Sequence, residues 1–416
     1  MTSAELKEYK KELAKVAVHH GINLDPGRFV YIIAPIEHVD LAYYLAEECY
    51  KVGARRVEFK WVSESLTHLR QKYASEADLS TLYSYERSML EFLNRDLSPR
   101  IVIMTEHFTD KSDLDLNKIN TARQKIMKEN IKFRETGDGT ASWCAIPAPS
   151  VSWAHKLFPN IHDDELAMLE AWKLFFRVTR IKPQKGLRNW RLHDADLSRH
   201  AAYLNSLDID TLHYTSKNGT DFTVGLIPGY KFVGGSTQNL ITHRSFNPNF
   251  PTEECFTAPK KDTAEGVVYA SKPLIYNGIS IRDFYFRFHK GKIVEVHARK
   301  NEKLLKELIN ADKNACYLGE VALVPFNSPI NMSGKLFYHT LFDENAVCHL
   351  AFGMAFPFTY KHYNKQDPKL LDRTIGLNLS RTHIDFMIGT ADLNIVATTH
   401  SGKKVVIFRN GTWAKK

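Results

Sequence analysis

Between Phe29 and Pro147 short apolar runs alternate with stretches of helical period, and that alternation leaves few folds open to the first half of the chain. Phe29-Val30-Tyr31-Ile32-Ile33-Ala34 is continuous and apolar, the pattern of a strand covered on both faces. A helical segment from His38 to Lys51 follows, with Gly53 just beyond it. The cycle then repeats, with strand from Arg56 to Trp61, mostly helix from Ser63 to Leu93, strand from Arg100 to Met104, helix from Leu116 to Arg134 and strand from Trp143 to Pro147. Strands joined through helices pair in parallel, because a parallel pair needs a long crossover whereas an antiparallel pair needs only a turn. The expectation is an α/β N-terminal domain with a mainly parallel sheet. A helix from Ser3, ended by Gly21, precedes it, and helical patterns continue from Asp164 to Phe176 and from Leu187 to Leu207.

After Leu207 the pattern changes to short strands punctuated by Asn218-Gly219, Asn277-Gly278, Lys290-Gly291, Ser401-Gly402 and Asn410-Gly411. Such dipeptides supply the positive φ of tight hairpins. One amphipathic helix, Asn301 to Ala311, interrupts the strands, which predicts an α+β C-terminal domain rich in antiparallel strands. A chain of 416 residues exceeds what one core usually spans, about 250 to 300 residues, so the reading divides it into an α/β domain at 1–205 and an α+β domain at 206–416.

Several function classes lose ground on composition. No run is apolar for the roughly 20 residues of a membrane span, and the segment from Met1 to Lys7 goes straight into an amphipathic pattern without the apolar core of a signal peptide. The expectation is a cytoplasmic protein with no membrane partner. Five scattered cysteines, Cys49, Cys144, Cys255, Cys316 and Cys348, are never spaced C-x-x-C, so neither a disulfide framework nor a thiolate zinc site is indicated. The formal charge of +9 comes from lysines and arginines interleaved with acids, which argues against a nucleic-acid partner. Gly137-Asp138-Gly139 follows a charged helix and lacks a third glycine, so it reads as a turn and not a dinucleotide loop. No phosphate loop, G-x-S-x-G elbow or H-E-x-x-H helix is present.

Four segments of the second half set acids and histidines inside apolar stretches, where an unpaired charge is costly to bury. They are Pro251 to Phe256, Leu318 to Val324, Leu341 to Gly353 and Thr382 to Gly389. On a strand, His383 and Asp385 share one face while Ile384 and Phe386 take the other, which makes a chelating pair or a buried His-Asp hydrogen bond that only braces the strand. Glu320 opens an apolar strand, where an exposed strand end is the plainer reading. Glu344 and His349 are too far apart for one helix or strand face, so a turn has to join them if both bind metal. Taken together, four carboxylates (Glu254, Glu320, Glu344 and Asp385) offset two divalent cations, and His349 and His383 add neutral nitrogen donors. That donor set suits zinc, cobalt or manganese, and two such ions bridged by a carboxylate do the chemistry of peptide hydrolysis.

At these residues the chain resembles the thermophilic metalloprotease family of aminopeptidases, peptidase family M29. The likeness runs from Val30 to Pro35, through Asn249-Phe250-Pro251-Thr252-Glu253-Glu254 with Ala258-Pro259, to Asn378-x-Ser380-x-x-His383-x-Asp385-Phe386-Met387-Ile388-Gly389. It implies Glu254, Glu320, Glu344, His349, His383 and Asp385 as metal ligands, with Glu320 the bridge; the catalytic carboxylate that takes up the proton is read as Glu320 or the unassigned Glu253. The residues themselves do not choose between Glu254 and Glu253. The resemblance further implies a homodimer, short peptide substrates and two divalent ions, zinc or cobalt before manganese. Two positions depart from the family pattern. A catalytic tyrosine is expected where the chain reads Ala355-Phe356-Pro357, which makes nearby Tyr360 the substitute, or else makes the chain a slower or altered enzyme, a metal-containing dimeric binding protein without catalysis, or a hydrolase of non-peptide amides. His339 after Tyr338 replaces a commoner asparagine and reads as a surface histidine on a strand leading to Glu344.

Overall fold

The computed structural model describes residues 1–137, 140–364 and 366–414. Asp138 and Gly139, part of the turn read above, lie outside the described residues. The chain forms two compact units, Met1–Leu192 with Ser236–Phe250, and His193–Gly235 with Pro251–Lys416. The sequence reading placed one break near 205; this division falls inside a helix and assigns 236–250 to the first unit, a return that no local pattern announces.

The first unit is built on β1 (Phe29–Pro35), β2 (Arg56–Val62), β3 (Arg100–Met104) and β4 (Trp143–Pro147), parallel and ordered β2-β1-β3-β4. Its helices are α1 (Ser3–Val16), α2 (Val39–Val52), α3 (Glu64–Tyr73), α4 (Glu76–Leu79), α5 (Ser84–Arg95), α6 (Leu116–Gly137), α7 (Val151–Leu157) and α8 (Asp164–Val178), and α9 (Gly186–Asn205) begins in it. Gly53 ends α2 at φ 97°, the left-handed cap that a side chain would resist. Gly21 closes a π turn, Ala17–Gly21, that follows α1, so the first helix stops earlier than its period suggests. The segment read as one mostly helical stretch from Ser63 is three helices, because Ser63 and Ser75 each cap a new start. A small hairpin is formed by β8 (Thr237–Gln238) and β9 (Ser245–Phe246).

The second unit holds two antiparallel sheets. One follows the order β17 (His383–Met387), β16 (His349–Gly353), β15 (Leu318–Leu323), β10 (Cys255–Thr257), β7 (Val233–Gly234). The other joins β12 (Leu274–Tyr276), β13 (Ile279–His289), β11 (Glu265–Tyr269), β6 (Asp221–Gly225), β5 (Ile209–Thr215), β18 (Asn394–Thr399), β19 (Lys404–Arg409) and β20 (Thr412–Trp413), with β14 (Lys292–Lys300) on β13. The turns Asn277-Gly278, Lys290-Gly291 and Asn410-Gly411 have both residues at positive φ, as two-residue hairpins require. Helices α10 (Glu302–Ile309), α11 (Thr340–Glu344) and α12 (Pro368–Ile375) complete the unit. The fold is therefore α/β with a parallel sheet, followed by α+β with antiparallel sheets. Among the described residues no helix is long and apolar enough to cross a membrane.

The two large sheets of the second unit pack face to face. Phe286 of β13 lies 5.0 Å from Phe386 of β17 and 5.8 Å from Phe352 of β16, ring to ring. Val321, Leu323, Leu350, Phe352, Ile384 and Phe386 all join this core. Period two then turns the alternate residues of the same strands, Glu320, Ala322, His349, Ala351, His383 and Asp385, to the opposite face.

Candidate metal centre

Register brings that polar face together. Glu320 pairs with Ala351 and Ala351 with Asp385, so the two carboxylates flank a single methyl group across three strands. His349 pairs with Ala322 and His383 with Gly353. Residues this small leave space above the sheet between the charged groups. A β-bulge between Leu318 and Glu320 sets the parity, keeping Leu318 in the core while Glu320 faces the other way. Glu320 is thus an interior strand residue, 4% exposed, and the exposed strand end of the plainer reading is overturned.

Glu254 enters from the segment before β10, and its carboxylate lies 3.2 Å from His349 Nε2. The same nitrogen is 3.4 Å from Glu320 Oε1. On the other side His383 Nε2 is 3.6 Å from Glu320 Oε2 and 3.2 Å from Asp385. The donor atoms of Glu254, Glu320 and His349 lie within 4.8 Å of one another, and so do those of Glu320, His383 and Asp385. The two triads share Glu320. Glu344, the last residue of α11, faces Asp385, Glu254 and His349, and the turn through Asn345–Cys348 joins it to the first residue of β16. All six expected ligands converge.

The electrostatics are those of a site waiting for positive charge. Among the described residues the ion pairs of Glu254, Glu320 and Asp385 are with His349 and His383, and none is with lysine or arginine. Burial pushes the Glu320 carboxyl up to about 7, against the pull of His349 and His383. Burial, with Asp385 and Glu254 adding repulsion, raises Glu344 well above its ordinary value. Burial would lower His383, but Asp385 and Glu320 outweigh it and lift the imidazole to about 10. Divalent cations bound among these groups would take the place of the protons that burial favours. Carboxylate and imidazole donors in this number fit divalent zinc, cobalt or manganese.

Residues 6–413 match the thermophilic metalloprotease (M29) family. The chain belongs to that family. It is 38% identical to aminopeptidase 2 of Geobacillus stearothermophilus over 413 residues, 98% of this chain and 99% of that one. The solved structure of wild-type AmpT from Thermus thermophilus has a TM-score of 0.88 at 32% identity, covering 98% of this chain and 100% of that chain. A solved 2,5-dihydroxypyridine dioxygenase from Pseudomonas putida shares the fold at a TM-score of 0.53 and 13% identity, over 100% and 99% of the two chains. Architecture alone therefore does not select the chemistry, and the site has to. Membership of the metalloprotease family makes the chain a hydrolase.

In this metalloprotease Phe356 stands against the cluster, its ring 4.7 Å from that of His383 and stacked on Phe358 at 5.4 Å. Tyr360 has its ring on the Gly229 turn and 5.4 Å from His362. His339 is not on a strand but directly precedes α11, half-buried with its ring centre 5.8 Å from that of Phe342 in an edge-to-face arrangement, which corrects the surface-strand reading. Glu253 turns away from Glu254, towards His193 at 3.8 Å. Asn345 was not singled out in the sequence, yet its buried amide accepts from the Glu253 N–H at 2.7 Å and donates to the Leu341 carbonyl at 2.9 Å. The signal was a polar amide amid the apolar run that follows Glu344.

Proposed function

We propose that this protein is a two-metal aminopeptidase that releases N-terminal residues from short peptides. The observation that carries the reading is the pair of triads sharing Glu320. Glu254 and His349 would hold one ion, His383 and Asp385 the other, Glu320 would bridge, and Glu344 would complete the set. Four carboxylates balance two divalent charges, which removes the cost of burying them unpaired. When bound, such a pair supplies Lewis acidity at the scissile carbonyl and an activated water near neutral pH. Zinc or cobalt is favoured, with manganese the third choice.

Glu320 accepts the proton released during attack, and Glu253, turned towards His193, is not assigned that role. Tyr360 is assigned the oxyanion-donor role on its place in the sequence, since Phe356 offers no hydroxyl. The family resemblance supports a cytoplasmic homodimer. The relatives' names support peptide substrates with a free N-terminus. A non-catalytic member is not adopted, because the relatives matched over nearly the whole chain are named aminopeptidases.

The purified protein is expected to bind two divalent ions per chain, to cleave leucine and phenylalanine amides, to lose activity to a chelator and to regain it with Co²⁺ or Zn²⁺. Turnover that persists after complete metal removal and in Glu320→Gln would overturn the proposal.

A further inference from the structure

Gly319 interrupts an apolar strand, where a glycine weakens the strand unless another group needs the space above it. The group that takes the space is the Met354 carbonyl. A Cβ on Gly319 would overlap the Met354 oxygen and lie 2.5 Å from its carbon. The same oxygen stands 2.7 Å from His383 Nδ1. A carbonyl only accepts, so Nδ1 carries a proton, and Nε2, on the side of Asp385 and Glu320, is the nitrogen left to offer its lone pair once a cation displaces the second proton.

The carbonyl is held on its other side too. Gly353 has φ 105°, and a Cβ there would overlap the Thr382 carbonyl oxygen. The Met354 N–H donates to that Thr382 carbonyl at 2.6 Å and Asn378 Nδ2 donates to the Gly353 carbonyl at 2.6 Å, which fixes the preceding peptide, while the Ala355 N–H, in the Met354 carbonyl's own peptide, donates to the Asn378 carbonyl at 2.9 Å. The peptide therefore has little room to swing away from a side chain at 319.

We propose that Gly319 is a positioning residue for His383. Its missing side chain lets the Met354 carbonyl close on Nδ1, which selects the tautomer and ring plane that present Nε2 to a metal beside Glu320 and Asp385. This rests on the two-metal reading. Its bulge does a second, separable job by turning Glu320 to the polar face.

The experiment measures the affinity of each of two Co²⁺ ions by titrating metal-free protein against a competing chelator, with the cobalt absorption spectrum recorded at each step. In Gly319→Ala the ion held by His383 and Asp385 is expected to bind about 10- to 100-fold more weakly, the usual cost of losing the group that orients a histidine ligand. The ion held by Glu254 and His349 is expected to keep its affinity and its bands. In a double-mutant cycle, adding Gly319→Ala to His383→Ala should cost the metal nothing further. Unchanged affinities, equal weakening of both ions, or additive effects in the cycle would each overturn the proposal. If Gly319→Ala does not fold, Asn378→Ser inserts no atom, releases the Gly353 carbonyl, and is expected to weaken the same ion alone; no selective loss there is equally fatal. Failure of the two-metal reading shows separately, as wild-type protein that does not take up two ions.

Discussion

Replacing Glu320 by glutamine should abolish activity and at the same time make the metal-free protein more stable at alkaline pH. The carboxyl is 4% exposed, and burial lifts its pKa from the ordinary 4.5 to about 7. A carboxyl whose folded pKa lies above its unfolded value binds its proton more tightly in the fold. Its contribution is therefore intact below pH 4.5 and is lost as pH rises to 7, where ionisation must be forced on a buried group among like charges. A rise of that size is worth ~3 kcal/mol at about 1.4 kcal/mol per pH unit. His383, lifted to about 10, titrates in the same direction above its ordinary 6.5, so the metal-free wild type should weaken steadily from pH 5 to pH 9. Glutamine reproduces the protonated carboxyl without the charge. Urea or thermal unfolding of chelator-treated protein at pH 5 and pH 8 tests this. Glu320→Gln should match wild type at pH 5 and exceed it by roughly 2 to 4 kcal/mol at pH 8. Excess Zn²⁺ should reverse the ranking, because ligand binding stabilises only the chain that holds it. A metal-free wild type whose stability does not change between the two pH values would refute the reasoning.

Further substitutions probe the site. Ala351→Leu places a branched side chain between Glu320 and Asp385, and it should depress metal uptake and activity at least ~100-fold while costing the fold about 1 to 3 kcal/mol; metal analysis with a melting curve separates the two. Tyr360→Phe should lower kcat ~10²- to 10³-fold, the cost of one lost oxyanion donor, while Phe356→Tyr, which adds a hydroxyl on the ring that faces His383, should leave it unchanged. An unchanged rate in Phe356→Tyr, together with a fall in Tyr360→Phe, would assign that donor to Tyr360.

Local chemistry alone was enough for the hairpins at Asn277, Lys290 and Asn410, whose glycine partners accept positive φ, and for the apolar strands from Phe29, Arg100 and Trp143. It was enough, too, for the shared face of His383 and Asp385, since period two is a property of a single strand. Other features needed the assembled sheets. Glu254 and Glu253 are neighbours of the same chemistry, and only the packing of β10 beside β15 aims one at His349 and the other at His193. Glu320 reads as a strand opening until the bulge at Gly319 and its pairing with Ala351 set it inside the sheet. A sequence records the direction in which a strand's side chains alternate. It does not record which distant strand lies alongside or in what register, and Glu320 and Asp385 come within reach of one another's histidines only when that register sets them side by side in a place water does not screen.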